Sequence, residues 1–461
     1  MFEAIDTSRD DIPVYRQLAD HVAQLVETGE LSAGDRLPPQ REIARQAGVN
    51  VTTVTRAFAT LQERGLVESR PGRGSIIVSA ADRAAFKSAP LEAEGYLDLT
   101  VNRPATEGYL KAIANLMPRL VSDPRFHAVQ DFHPAEGPRW TRAALSGWLT
   151  SATGHNDPDR IVVTNGAQHG LACVLGAIAR PGQAVLADAI TYQGIAPLCA
   201  SLDLRLVPVA TDAGGMLPEA LAMACRTQEA AALFLVPNLQ NPTTVTLDLD
   251  RRRALARIAR AAGVKIIEDD VYRAQIADPL PTIAAENPDI TVHITSLSKC
   301  AAPGIRLGAV SASPSLVRDI AAILRVNCWS TSFLTGLMVT RLIEEGSLDR
   351  IIAEQRDELQ ARQQILSQGL VDYDLRSEPT APHGWLMLPD PWRSSSFVRA
   401  AESAGVSVLP GEAFALDRDQ APPHAVRINL SAARSRDDLR RAAAILRTIL
   451  EGGLHKANVH V

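Results

Sequence analysis

Ser296-Leu297-Ser298-Lys299, followed by Gly304-Ile305-Arg306-Leu307-Gly308, puts a lysine at the end of the apolar run Thr291-Val292-His293-Ile294-Thr295. That run reads as a buried strand. A lysine at a strand end can point into a pocket, where desolvation lowers its pKa. It is then neutral often enough to attack a carbonyl and form a Schiff base. Ser296, Ser298 and Arg306 offer two hydroxyls and one fixed cation, the chemistry that holds a phosphate. A lysine after a strand is more commonly a solvated surface group, so the reading needs support from elsewhere in the chain.

Support comes from upstream. Glu268-Asp269-Asp270-Val271-Tyr272 follows the apolar strand Val264-Lys265-Ile266-Ile267. Before it lies Pro237-Asn238-Leu239-Gln240-Asn241-Pro242-Thr243-Thr244. With Ser-x-Ser-Lys and an arginine seven residues on, these segments resemble fold-type I aminotransferases in order and spacing. The resemblance implies pyridoxal phosphate (PLP) as cofactor, with Lys299 as the catalytic lysine that binds it. It implies Asp269 as partner of the pyridine nitrogen, which keeps the ring an electron sink. Tyr272 and Asn241 are the implied donors to the ring's phenolic oxygen. Thr244 stands where the family has glycine.

The same resemblance extends over the rest of the large domain. Arg160 to Thr164 reads as a strand, and Asn165-Gly166-Ala167-Gln168-His169-Gly170 turns into a helix whose first amides suit a phosphate. Gly166, Ala167 and Gln168 are the implied first half of the phosphate cup. Tyr192, after the strand Ala184 to Ala187, is the implied ring stacked on the cofactor. Asp98-Leu99-Thr100-Val101-Asn102-Arg103-Pro104 looks like the segment at the mouth of the substrate cleft. Arg427, on the strand Ala425 to Leu430, matches the arginine that grips a substrate carboxylate through a bidentate pair. Further apolar runs at 204–208, 231–235 and 264–267 read as strands covered on both faces. Alternating strands and helices point to an α/β fold. From about 313 the pattern becomes helical, with long segments at 316–325 and 348–370. A smaller subdomain, from about 330, contains strands at 385–389 and 425–430, a last helix at 435–450, and a fraying tail from Gly452. His169 and His293 lack ligand-like partners and are expected to be structural.

Residues 1–78 form a separate pattern. Val14, Leu18, Val22, Leu25 and Val26 recur at helical spacing. A second short helix is predicted from Arg41 to Ala47, and Gly48 ends it. Asn50 caps a third helix to about Gln62. Two short helices joined by a glycine turn are a helix-turn-helix signature. Two strands, 66–69 and 75–78, flank the turn Arg70-Pro71-Gly72-Arg73-Gly74, which suits a wing. Between Arg36 and Arg73 seven arginines face three glutamates, a local charge of +4 within a chain of net charge −5. A basic face on a helix-turn-helix fits phosphate contact better than a solvated charge run does.

The segment resembles the GntR-type winged helix, from Pro13-Val14-Tyr15-Arg16-Gln17 through Gly34-Asp35-Arg36-Leu37-Pro38 and Gly48-Val49-Asn50-Val51-Thr52-Thr53-Val54 to the wing. The resemblance implies DNA contacts at Arg41, at Thr52 and Thr53 on the recognition helix, and at Arg73 on the wing. Val51 stands where many relatives have arginine, so readout there is expected to be apolar, to a thymine methyl. Arg56 either contacts phosphate or lies on the exposed face. Residues 79–97, alanine-rich and interrupted by Pro90, read as a short linker that restricts movement of the DNA-binding domain.

A GntR-type winged helix (1–78), a linker and an aminotransferase-like domain (98–461) together resemble the MocR subfamily of transcription regulators. This implies a regulator that binds promoter DNA with paired half-sites and senses PLP or an amino compound. A homodimer is expected, with a head-to-tail arrangement. The rival reading is a working PLP-dependent aminotransferase acting on an amino acid, with an accessory DNA-binding domain. A DNA-binding module on a dead scaffold is disfavoured, because the cofactor residues survive. No apolar run approaches a membrane span, and no signal-peptide pattern opens the chain. Five scattered cysteines lack metal-ligand spacing and fit a reducing compartment. A cytoplasmic location, at the nucleoid when DNA-bound, is therefore expected.

Overall fold

The computed structural model describes residues 13–27, 30–31, 35–63, 67–70, 74–77, 96–417 and 423–458. Its contacts divide the chain into two units, Met1–Ala93 and Glu94–Val461. The linker assigned to 79–97 falls almost entirely outside the described residues, as do Arg73 and the tip of the wing.

In the first unit, helices Val14–Glu27, Gln40–Ala47 and Val51–Glu63 precede an antiparallel pair, Val67–Arg70 with Gly74–Ile77. Leu18, Val22, Ile43, Val54, Phe58, Leu61 and Ile77 interlock as one core. Their helical spacing in the sequence is what buries one stripe of each helix. Gly48 adopts φ +66°, the left-handed turn between the second and third helices, where a side chain would be strained. The segment 35–37 also bonds to the second strand, through Leu37 N–H to the Ser75 carbonyl (2.8 Å) and Ile77 N–H to the Asp35 carbonyl (2.9 Å).

The second unit is built on a seven-stranded sheet. Its order is Ile161–Thr164, Gly308–Ser311, Thr291–Ser296, Lys265–Asp269, Ala230–Leu235, Ala184–Asp188, Arg205–Val209. Pairing is parallel except along Gly308–Ser311, which runs antiparallel to both neighbours. Most central strands are apolar throughout because helices cover both faces. Ala167–Ile178 and Pro314–Cys328 pack on one side. Leu249–Ala262 and Pro218–Thr227 cover another part of the sheet. The parallel strands all end at one edge, so Asp188, Asp269 and Ser296 arrive there together.

A smaller sheet follows, in the order Leu375–Arg376, Gly384–Met387, Ala425–Ile428, Leu409–Pro410, all antiparallel. The long helices Ser347–Gly369 and Arg436–Asn458 pack against it with Ser394–Ser403. The segment after residue 95 belongs with this subdomain, because Leu97–Asp98 pairs in parallel with Val406–Ser407.

Three expectations shift. The Gly304-Ile305-Arg306-Leu307-Gly308 pattern reads as a strand through Arg306, but Arg306 sits at φ +47° after a short 3-10 turn and the strand begins at Gly308. The last helix continues through Gly452 to Asn458, where a fraying tail was expected. The helix Phe333–Glu344, not singled out from sequence, lies in the apolar cluster with Leu145 and Leu297.

Candidate cofactor site and DNA-binding face

The turn after Thr291–Ser296 positions the lysine. Ser296 accepts from the Ser298 N–H (3.1 Å) and donates to the Leu307 carbonyl (3.3 Å), so its hydroxyl braces the turn. Lys299 Nζ donates to the Asn102 carbonyl at 2.8 Å. Burial, reinforced by the positive Arg427 and Arg306 and opposed by Asp269, pulls the ammonium from 10.5 down to about 8. The Lys299 carbonyl is itself held by Gln275 Nε2 (2.8 Å).

Asp269 ends the neighbouring strand and is 5 % exposed. Burial first, then the adjacent Asp270, pushes its carboxyl up to about 7, against the Val271 N–H, His293 and Lys299. Its Oδ1 has no hydrogen-bond partner. A buried carboxylate oxygen left unsatisfied is costly, and a protonated ring nitrogen is the kind of group that satisfies it. Tyr272, three residues on, accepts at its hydroxyl from Asn102 Nδ2 (2.7 Å). Burial holds its phenol above the usual range.

Asn241 lies in the turn 237–244. Its Oδ1 accepts from Arg427 Nη1 at 2.8 Å. Thr244 adopts φ +65°, so the threonine takes up the left-handed geometry that glycine would adopt freely. The Thr244 N–H bonds the Gln240 carbonyl (2.7 Å), which closes the turn. Arg427 also donates from Nη2 to the Thr100 carbonyl and lies over the Phe414 ring, 4.9 Å from its centroid. Its Nε has no partner, and burial lowers its pKa from 12.5 to about 10.

Phosphate-type donors gather at one end. Gly166, at φ +85°, caps the helix Ala167–Ile178, whose first amides lack intrahelical acceptors. A Cβ on Gly166 would sit 3.0 Å from Arg306 Nη2, and the positive φ would strain any other residue, so glycine suits this approach. Arg306 Nη2 donates to the Asn165 carbonyl (3.2 Å). Ser298 Oγ is buried and unpartnered. The Gln168 side chain is occupied: Nε2 donates to the Gly194 carbonyl (3.0 Å), and Oε1 accepts from the Tyr192 hydroxyl (3.1 Å). What Gln168 offers an anion is therefore its backbone amide. Tyr192 is partly buried, with its phenol pushed up to about 12 by burial.

The residues present thus fit PLP. Asp269 Oδ1 and Ser298 Oγ are orphaned, Arg306 lies against Gly166 at the helix start whose amides lack acceptors, and Lys299 carries a lowered pKa. Sequence reading missed Asn102 and Gln275. Asn102 touches both Lys299 and Tyr272, and Gln275 fixes the lysine's backbone. His293 pairs with Asp270 (3.2 Å) behind this site, and His169 accepts from the Asn165 N–H (3.1 Å). Both histidines brace the scaffold.

On the winged helix, Arg41 is exposed, as are Val51, Thr52 and Arg56, while Thr53 is half-buried. Among the described residues neither Arg41 nor Arg56 has an ion-pair partner. Arg45 is paired with Glu42 (2.5 Å), which holds the Glu42 carboxyl down at about 2. Asn50 Oδ1 caps the third helix by accepting from the Thr52 N–H (3.1 Å).

Fold and site define a class: a winged helix-turn-helix joined to a fold-type I aminotransferase domain. Residues 94–446 match the family "aminotransferase class I and II", and residues 14–77 match "bacterial regulatory proteins, gntR family". The chain belongs to the aminotransferase class I and II family and carries a GntR-family domain, the composition of MocR-subfamily regulators. It is 27 % identical over 439 residues to the uncharacterized HTH-type transcriptional regulator YdeF of Bacillus subtilis, covering 95 % of each chain. It is 28 % identical over 420 residues to the vitamin B6 salvage pathway transcriptional repressor PtsJ of Salmonella typhimurium, covering 90 % of this chain and 94 % of PtsJ. Among solved structures it resembles the α-aminoadipate aminotransferase LysN of Thermus thermophilus, complexed with N-(5'-phosphopyridoxyl)-L-leucine. The TM-score is 0.71 at 22 % identity, over 78 % of this chain and 94 % of LysN. That likeness is one of fold.

Proposed function

We propose that this protein is a transcription regulator whose aminotransferase-like domain holds PLP covalently at Lys299 and reports PLP or an amino compound to the winged helix. One observation carries the reading. A buried Asp269 oxygen without a partner lies within electrostatic reach of a lysine whose pKa has fallen to about 8. When bound, PLP supplies an aldehyde that captures amines and an electron-withdrawing ring.

The chain's own residues do the rest. Asp269 meets the ring nitrogen, and Tyr272 and Asn241 meet the ring oxygen. Tyr192 covers the ring face. Ser298, Arg306 and the amides of Gly166, Ala167 and Gln168 hold the phosphate, with Ser296 shaping the turn beneath. Arg427 receives a carboxylate by exchanging its bonds to Asn241 and Thr100. Because those bonds tie the turn 237–244 and the segment 98–104 to the small sheet, a ligand that takes them over changes how both are held. A ligand shifts a conformational equilibrium only as far as its affinity for the two states differs.

DNA contact falls to Arg41, Thr52, Thr53, Arg56 and Arg73. A homodimer on paired half-sites is supported by an apolar face. Phe132 is 88 %, Val326 87 % and Trp329 54 % exposed, and the Phe132 and Trp329 rings lie 5.7 Å apart. Such a face on a monomer marks an interaction surface.

The test is borohydride reduction of the PLP-loaded protein, followed by peptide mapping. Lys299 alone is expected to carry the label, and Lys299→Ala is expected to carry none. A label on another lysine overturns the assignment. Turnover with a panel of amino and keto acids separates the reading from its rival: sustained transamination at enzyme-like rates would make the protein an aminotransferase.

A further inference from the structure

A second cavity, of about 620 Å³, lies between the turn that carries Asn241 and the small sheet. Asp188, Ile190, Gln240, Trp385, Met387 and Glu378 are among the residues that line it. None of them has a place in the cofactor site. The volume is that of a small-molecule pocket.

The chemistry of the lining is specific. Asp188 is 6 % exposed, and its Oδ1 has no hydrogen-bond partner. Burial raises its carboxyl to about 7, opposed by a hydrogen bond from Gln240. Among the described residues, no cation of the lining is paired with it. Arg376 is paired with Asp374 (3.1 Å), and Asp212 is already matched by Arg251 (3.0 Å). Glu378, on the exposed rim, has no ion-pair partner among the described residues. Ile190, Trp385 and Met387 form an apolar patch on a wall that otherwise carries hydroxyls, among them Thr211, Thr243 and Ser377. A buried carboxylate without a cation, beside an aromatic and aliphatic patch, is matched by an ammonium group on an apolar body.

We infer that this cavity is a second ligand site, which takes an amine with an aromatic or branched aliphatic body, its ammonium on Asp188. The site touches the cofactor region through the turn itself. Gln240 Nε2 donates to the Ile190 carbonyl (2.7 Å), and Gln240 Oε1 accepts from the Thr243 N–H (3.0 Å). The next residue, Asn241, holds Arg427. An occupant that moves Gln240 therefore acts on the carboxylate-binding arginine without contacting it. The site does not depend on Lys299, so it can fail while the cofactor reading stands, and the reverse.

The probe is N,N-dimethyl-2-phenylethylamine, a tertiary amine that cannot condense with an aldehyde and has no carboxylate for Arg427. Calorimetric titration of the full-length, PLP-loaded protein at pH 8 is expected to show one site per chain. The anion 3-phenylpropionate, of similar size, is expected to bind at least tenfold more weakly. Asp188→Asn is expected to weaken the amine at least tenfold and leave the visible absorbance of the cofactor unchanged. Glu378→Gln, on the exposed rim, is expected to weaken it two- to threefold, and this tests the site even if the buried substitution does not fold. Absence of binding, equal binding of amine and acid, or affinity unchanged in a folded Asp188→Asn protein would overturn the inference.

Discussion

Lys299 and Asp269 hold opposite kinds of cost in one pocket. The lysine titrates at about 8 in place of 10.5. At pH 7 roughly one molecule in ten then carries it neutral, against about three in ten thousand for an ordinary lysine. Covalent capture of PLP by the cofactor-free protein should therefore accelerate as pH rises through about 8 and then level off. Stopped-flow absorbance checks this, and a rate still climbing steeply at pH 10 would contradict it. Asp269 titrates at about 7 in place of 3.8, so the folded protein holds a proton that the unfolded chain has already lost. Its ionisation costs stability progressively from pH 4 to 7, and the full cost is present above 7. Asp269→Asn should then stabilise the cofactor-free protein at pH 8, at ~1.4 kcal/mol per pKa unit relieved, and give little gain at pH 4. The same change should weaken PLP at least tenfold, about 1.4 kcal/mol. Denaturant titrations at the two pH values, with and without PLP, read both effects. The placement of Asp269 and Tyr272 at the end of one strand and of Lys299 after the next was legible, because each strand is an apolar run closed by a recognisable motif. Asn102 was not legible, since its partners Tyr272 and Lys299 lie 170 and 197 residues away.

Among the elements, the central strands were the most legible, because burial on both faces leaves continuous apolar runs. Helix Phe333–Glu344 shows why others were not. It buries Phe333, Leu337, Val339 and Leu342 and leaves Leu334 exposed, so its apolar residues mark no single stripe. The Arg306 turn escaped notice for a different reason: a non-glycine residue at positive φ leaves no mark in composition. Thr244 has the same geometry, and a β-branched residue there is strained. Thr244→Gly is expected to hold or raise stability by about 1 kcal/mol, where glycine at an ordinary site would lower it. A lowered melting temperature would show that the threonine side chain contributes more than its backbone strain costs. On the second helix, Arg41→Ala should weaken specific DNA binding by about 1–3 kcal/mol if it reads a base. If it contacts only phosphate, the loss should be uniform across sequences, with the salt slope reduced by about one. Unchanged affinity and slope would remove Arg41 from the interface.

For the whole molecule, the claim is coupling between two separate chemistries in one chain. The exposed Phe132, Val326 and Trp329 call for a partner surface. Sedimentation of the PLP-loaded protein at micromolar concentration should give a dimer, and Trp329→Glu should shift it toward monomer. A stable monomer in the unsubstituted protein would leave the paired half-sites without a physical basis. Coupling is a difference in free energy, so it is read by comparing affinities and not by locating contacts. The most direct measurement is operator-DNA affinity at fixed salt, with and without PLP, for the unsubstituted protein and Lys299→Ala. Both should bind nonspecific DNA equally, because the basic winged-helix face is untouched. Only the unsubstituted protein should change its operator affinity when PLP is added. An equal response from Lys299→Ala would contradict the account, because the lysine-bound cofactor would not be the switch.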